Sequence, residues 1–159
     1  MDSVSGRVVY ETYPLGLSAL TNDITIFKSN YYKLNENIEG KYIQFANEDR
    51  FKDCNYVNGK LNGEYKTYCH NILAEHAYYI NGKEEGQYIK YYLTLDNVLY
   101  EKTNYINGKK EGIEIVYHEN GVVAIFSNYK NDKLHGDYFQ FDENGELTGT
   151  FYYINGELH

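Results

Sequence analysis

Apolar and polar residues alternate along most of this chain, in short segments separated by turn residues. Five segments each follow a glycine, and nine of the ten residues at the third and fifth positions after it are apolar or aromatic: Ile43, Phe45, Lys66, Tyr68, Ile89, Tyr91, Ile115, Tyr117, Phe139 and Phe141. The second and fourth positions are mixed, and tyrosines recur there. Successive side chains of a strand point to opposite faces, so the pattern predicts β-strands with one apolar and one mixed face.

Asn-Gly pairs indicate where these strands turn. The pairs are Asn58-Gly59, Asn81-Gly82, Asn107-Gly108, Asn120-Gly121, Asn144-Gly145 and Asn155-Gly156. A two-residue type I′ hairpin turn needs positive φ at both central positions, which Asn and Gly tolerate. No segment shows the 3.6-residue apolar period of a helix. The sequence therefore predicts an all-β fold, an elongated antiparallel meander of consecutive hairpins.

One phrase, Tyr-x-Asn-Gly-Lys-x-x-Gly, recurs along the chain. It spans residues 56–63, 79–86 and 105–112, with a looser copy at 129–136, a degraded copy at 32–40 and a truncated copy at 153–158. We expect its tyrosines and glycines to be structural repeat positions: Tyr56, Gly59, Gly63, Tyr79, Gly82, Gly86, Tyr105, Gly108, Gly112, Tyr129, Gly136 and Tyr153. Starting tyrosines lie 23 to 26 residues apart, a period typical of repeat proteins.

The repeats divide the chain into two parts. Residues 32–159 form the predicted array of about five and a half repeats of about 24 residues. Residues 1–31 do not fit the phrase and are predicted to be an N-terminal β cap, with strands at 8–10 and 24–27. Residues 149–154 are predicted to form an edge strand. That strand either pairs with another copy or ends in solvent.

Charge and hydropathy exclude several classes of partner. The 159 residues carry a formal net charge of −8, which disfavours phosphate-driven nucleic-acid binding and docking on anionic membranes. Neither an apolar run near 18 residues nor a leader is present. The sequence predicts a cytoplasmic protein, with no cofactor and no metal.

The repeated phrase resembles the MORN repeat superfamily, most closely the variant branch common in bacteria and large DNA viruses. The resemblance covers residues 32–159, and the best copies span 105–128 and 129–152. It departs at Glu114, where neighbouring copies have Tyr, and at Asp132. The resemblance implies a meandering β-sheet. It also implies a role as a scaffold, as a targeting module or, as some relatives are labelled, as an antitoxin.

Tyrosines are the candidate binding residues. The starting tyrosines are expected to pack across strands. Those of the mixed face are predicted to contact a partner, because tyrosine combines a large contact area with a polar tip. Half-buried packing is the alternative for this set: Tyr42, Tyr65, Tyr88, Tyr92 and Tyr138.

Catalytic chemistry is not indicated. His70 and His76 lack the Cys/His spacing of a zinc site. Cys54 and Cys69 are expected to be free thiols, and the predicted register puts Cys54 opposite Thr67. Nucleophile, phosphate-loop and metalloprotease motifs are missing. The protein is therefore predicted not to be an enzyme.

The functional prediction is a protein-protein interaction module or scaffold. The first alternative is an antitoxin or immunity-type protein that neutralises a partner enzyme. The second is a peripheral membrane-lipid adaptor, against which the acidic charge argues. A homo-oligomer formed through the C-terminal edge strand or the apolar face is a further expectation.

Overall fold

The computed structural model describes residues 7–9, 31–34, 37–46, 49–94 and 96–159. These residues form strands and turns, and none of them is helical. The strands are β1 (Arg7–Val9), β2 (Tyr31–Leu34), β3 (Asn37–Phe45), β4 (Arg50–Val57), β5 (Lys60–Cys69), β6 (Ile72–Ile80), β7 (Lys83–Glu84), β8 (Gly86–Tyr91), β9 (Leu99–Ile106), β10 (Lys109–Lys110), β11 (Gly112–Tyr117), β12 (Val123–Lys130), β13 (Lys133–Phe141), β14 (Leu147–Ile154) and β15 (Glu157–Leu158).

All of these strands belong to one open antiparallel sheet in which chain order is spatial order. Thirteen follow one another across the sheet, while β7 pairs with β6 and β10 pairs with β9. The predicted meander of consecutive hairpins is confirmed. Of the predicted cap, β1 pairs with β2 at one edge of the sheet. The strand predicted at 24–27 lies outside the described residues.

Two kinds of turn join the strands. The phrase turns are two-residue turns with positive φ at both positions, as at Asn107 (54°) and Gly108 (80°). The prediction for Asn120-Gly121 and Asn144-Gly145 is wrong, because only the glycine of each pair has positive φ. There the glycine N–H closes a four-residue turn, as Gly121 N does on His118 O at 2.9 Å. A type I turn followed by a left-handed glycine makes this longer hairpin loop.

A bulge follows the phrase turns at Asn58 and Asn131 and sets the register of those hairpins. Tyr56 lies opposite Leu61, but Cys54 lies opposite Tyr65, so the register shifts around Gly63. The predicted pairing of Cys54 with Thr67 is wrong, since Thr67 faces Lys52. Gly63 has φ +109°, a conformation that disfavours residues with a Cβ. The repeated second glycine of the phrase therefore marks a bulge.

The bulge directs one side chain toward the next phrase turn. The residue before the second glycine accepts the backbone N–H of the asparagine in the following turn. Glu85 Oε2 binds Asn107 N at 2.8 Å, Glu111 Oε2 binds Asn131 N at 2.9 Å, and His135 Nδ1 binds Asn155 N at 3.3 Å. Glu39 accepts from Asn58, and Asn62 Oδ1 accepts from Asn81 at 3.2 Å.

A parallel set of backbone bonds joins the same turns. Gly82 N donates to Leu61 O at 2.7 Å, Gly108 N to Glu84 O at 2.9 Å, and Gly156 N to Leu134 O at 2.8 Å. The four phrase turns that begin at Asn81, Asn107, Asn131 and Asn155 are thus bonded to the preceding hairpin through a main-chain bond and a side-chain bond, since Asp132 N also donates to Lys110 O at 3.1 Å. We call these bonds the turn ladder.

The sheet face predicted to be apolar is mixed. Ile43 lies beside Asp53, Ile89 beside His76 and Lys102, and Ile115 beside Lys102. These polar neighbours belong to β4, β6 and β9. Phe139 and Phe141 are half-buried, and Phe139 packs against Phe126 with ring centroids 6.0 Å apart.

Candidate functional site: a tyrosine-lined sheet face

Tyrosines of two repeat positions meet in pairs on the other face of the sheet. We call it the tyrosine face, defined by Tyr42, Tyr65, Tyr88 and Tyr138. Each packs edge-to-face on the starting tyrosine of the next repeat. The centroid distances are 5.8 Å for Tyr42–Tyr56, 5.4 Å for Tyr65–Tyr79, 5.9 Å for Tyr88–Tyr105 and 5.8 Å for Tyr138–Tyr153. This geometry is the preferred one for aromatic pairs.

Small residues separate the tyrosines across the sheet. Cys54 lies between Tyr42 and Tyr65, and Ala77 faces Tyr65 from the other side. With Thr103 and Ser127, these small residues are at most 2% exposed. These small residues leave room for the large rings on the neighbouring strands. Phe151 is the exception, because it lies opposite Tyr138 with ring centroids 5.9 Å apart. Each small residue stands two residues before a starting tyrosine, a spacing in the sequence that marks these packing positions and that the sequence-based prediction did not use.

The predicted partner-binding tyrosines are therefore half-buried, and their rings belong to the packing of the sheet. Tyr92 lies apart from the paired row. Its ring meets Tyr100 at 5.1 Å, and its hydroxyl donates to Tyr117 O at 2.8 Å. The register places Tyr42, Tyr65, Tyr88 and Tyr138 on one face, where they pack as the starting tyrosines do. Their role in partner binding stays a prediction.

Burial holds the tyrosine hydroxyls in their neutral form. It raises the pKa of Tyr56 and Tyr129 to about 12. It also raises the pKa of Tyr65, Tyr79, Tyr88 and Tyr105. The neutral hydroxyl donates hydrogen bonds, as Tyr79 does to Glu84 Oε1 at 2.8 Å. The face offers hydrogen-bond donors rather than bases.

One hairpin replaces the tyrosine pair with charges. Glu114 occupies the tyrosine position and contacts Lys110, whose Nζ is also 3.0 Å from Glu101 Oε1. Ser127 Oγ donates to Glu114 Oε2 at 3.2 Å. The ammonium lies 5.2 Å from the ring centroid of Tyr129. Burial opposes the charge of Lys110, but hydrogen bonds to Glu114 and Glu101 outweigh it and raise its pKa.

A groove of about 650 Å³ opens on the tyrosine face over β4, β5, β6 and β8. Tyr65 lines it, together with Gln44 and Thr67. The stacked rings of Phe51 and Tyr68, with centroids 4.6 Å apart, belong to the opposite face of the sheet, because these residues alternate with Lys52 and Thr67. Three cations also line it: Arg50, Lys52 and Lys90. Among the residues that the structure describes, none of the three forms an ion pair with a carboxylate. The carboxylate of Glu75 lines the groove as well, so its walls carry three cations and one anion beside the ring of Tyr65.

Histidines and carboxylates of the described ranges form no group of three that could hold a metal ion. His76 instead lies 3.4 Å from Glu64, and His118 Nε2 is 2.9 Å from Phe141 O. No helix in the described part of the chain is long and apolar enough to cross a membrane.

Comparison with known proteins adds no relative to this picture. A scan against protein-family models finds no match, and a search of curated proteins also finds none.

Proposed function

We propose that the protein is a non-catalytic, MORN-like repeat protein of the cytoplasm that binds another protein through the tyrosine face. The groove beside Tyr65 carries this proposal, because its three cations outnumber its one carboxylate, Glu75, and form no ion pair among the described residues, and because the ring of Tyr65 is held by packing on Tyr79. Aromatic and cationic side chains are enriched at protein interfaces. An acidic protein with a positive groove suits a partner that presents carboxylates.

Charge substitutions in the groove test this proposal without disturbing the ring pairs. Lys52→Glu with Lys90→Gln changes the charge of the groove. The control is Lys109→Glu with Lys133→Gln, which makes the same net change at exposed turn positions. Both variants are compared with wild type in affinity purification from native lysate, after urea denaturation has confirmed equal folding. A stoichiometric partner that is lost only in the groove variant supports the proposal.

A partner retained by the groove variant, or lost from both variants, contradicts it. The partner's identity then separates a scaffold from an antitoxin: inhibition of an isolated partner enzyme by the wild-type chain indicates neutralisation. Flotation with anionic vesicles tests the lipid-adaptor alternative, for which the net charge of −8 predicts no binding.

Self-association is a second candidate, favoured by the edge of β14. Short β15 covers only Tyr153 and Ile154 of this strand. Leu147 is 58% exposed and Phe151 37% exposed along the remaining part. Unpaired apolar edges template strand pairing between chains. Sedimentation of wild type against Leu147→Lys with Phe151→Lys tests this, and a monomeric wild type at high concentration contradicts it.

A further inference from the structure

The paired ends of β4 and β5 bring a thiol, an imidazole and a carboxylate together. Cys69, the last residue of β5, lies opposite Arg50, the first of β4. Asp49 and His70 therefore face each other just beyond the strand ends. The backbone N–H of His70 donates to Asp49 O at 2.6 Å and fixes this juxtaposition.

The three side chains lie in the order Cys69, His70 and Asp49. Cys69 Sγ lies 3.3 Å from His70 Nδ1, and His70 Nε2 lies 3.6 Å from Asp49 Oδ2. The thiol and the carboxylate thus contact different nitrogens of one ring. In this order the imidazole can take the thiol proton while the carboxylate orients the ring and stabilises its positive charge.

The second cysteine of the chain has none of these features. Cys54 is 2% exposed, and its Sγ contacts Tyr42 O at 3.6 Å. Burial raises the pKa of the Cys54 thiol. Apolar burial makes a cysteine inert, whereas a cationic, accessible setting makes it reactive. Cys54 is therefore an internal control for Cys69.

Cys69 is 6% exposed, against 2% for Cys54, and it lines the 650 Å³ groove, from which a small molecule would approach its sulfur. Arg50, Lys52 and Lys90 line the same space. These cations favour the approach of reagents that carry carboxylates, because opposite charges attract in a partly desolvated groove.

We propose that Cys69 is a nucleophilic thiol that forms mixed disulfides with small disulfides bearing carboxylates. His70 takes the proton of the thiol, and the Cys69 sulfur attacks one sulfur of the reagent. The reagent S–S bond breaks as the new S–S bond forms. The departing thiolate takes the proton back from His70, so one protein thiol and one disulfide yield one mixed disulfide and one small thiol. The thiol reaction does not require a bound partner. Because the thiol and the proposed partner surface share one groove, a bound partner would shield Cys69.

Rates of modification by glutathione disulfide test the proposal, with peptide mapping by mass spectrometry to read Cys54 and Cys69 separately. We expect Cys69 of the folded protein to react at least about tenfold faster than Cys54, and the two to react equally in urea. Cystamine, a disulfide carrying amines instead of carboxylates, is the matched reagent. It should lose most of the preference for Cys69.

His70→Asn isolates the role of the imidazole. His70 has φ 50°, and asparagines occupy this turn position with similar φ elsewhere, as Asn58 does. The turn is therefore retained. The rate at Cys69 should fall at least about tenfold near neutral pH, because the thiol then has no adjacent group to take its proton. Asp49→Asn, which alters a positioning residue, should shift the pH–rate profile with a smaller loss.

Equal rates for the two cysteines in the folded protein overturn the proposal. An unchanged rate at Cys69 in folded His70→Asn does so as well. A cystamine rate equal to that of glutathione disulfide removes the selection for carboxylates.

Discussion

Lys110 contacts Glu114 on the tyrosine face, at the two positions where the next hairpin has Leu134 and Tyr138. The ion pair fills the same place as a leucine beside a packed tyrosine. Such a pair is strongly coupled, because removing one partner leaves a charge in a half-buried site. Replacing both partners by packed apolar groups is often neutral or stabilising.

A double-mutant cycle at these positions should show this coupling. Lys110→Leu leaves Glu114 with Ser127 as its hydrogen-bond donor and should lower the free energy of unfolding by about 3 kcal/mol. Lys110→Leu with Glu114→Tyr reproduces the pair of β13 and should lower the free energy of unfolding by less than Lys110→Leu alone, with a residual loss because Glu101 no longer contacts Lys110. Urea denaturation measures both values. Additive effects of the two single substitutions would show that the ion pair is not coupled.

The turn at Asn155 should gain stability from a carboxylate. His135 Nδ1 accepts the N–H of Asn155 at 3.3 Å, whereas Glu111 accepts that of Asn131 at 2.9 Å. His135→Glu should slow hydrogen exchange at Asn155 N and add about 0.5–1.5 kcal/mol, since charged acceptors make stronger bonds. His135→Ala is the control and should speed exchange. Equal exchange in all three proteins would mean that this side-chain bond is not formed in solution.

Glycine in the phrase turns should be required for its backbone conformation. Gly108 has φ +80°, and an added Cβ would also lie 3.4 Å from the Cβ of Lys83. Gly108→Ala should lower the free energy of unfolding by about 1–2 kcal/mol. Asn107→Gly, which keeps positive φ accessible, should change it by only a few tenths. Thermal and urea unfolding check both, and a neutral Gly108→Ala would contradict the assigned turn.

Alkaline pH should unfold the protein through its buried tyrosines. The folded-state pKa of Tyr56 and Tyr129 is about 12, and their unfolded value is about 10. The neutral phenols therefore stabilise the fold fully below pH about 10, and this contribution is lost as pH rises toward 12. Tyrosinate absorbance should rise later in the folded protein than in urea. Tyr129→Phe should make the alkaline loss of stability less steep, and an unchanged slope would contradict the assignment.

The hairpins were predictable because the signal is local. Asn58-Gly59 needs only its own backbone preference to form a turn, and the alternating strand after Gly63 needs only its own side chains. Edge-to-face tyrosine pairs were not predicted, although both positions were identified separately. Their contact depends on which residues lie opposite after the bulge.

The predicted register of β4 and β5 was wrong because it also depends on the bulge. The repeated phrase places a glycine such as Gly63 at the bulge, but it does not show how many extra residues the bulge contains. Cys54 consequently lies opposite Tyr65 and not Thr67. The Cys69–His70–Asp49 constellation depends on this register as well. Cys69 and His70 are neighbours in sequence, but Asp49 is distant from them and meets them only because β4 and β5 end together.

The turn ladder makes the length of the array adjustable in whole steps. Each phrase turn from Asn81 onward receives one main-chain and one side-chain acceptor from the hairpin before it, so the junction between neighbouring hairpins repeats along this part of the array. Excising residues 105–128 would place Glu85 against the turn at Asn131, in the role that Glu111 now has. A chain built this way can grow or shrink by one unit without a new junction. Gene duplication or deletion of one repeat would preserve the sheet while changing its span.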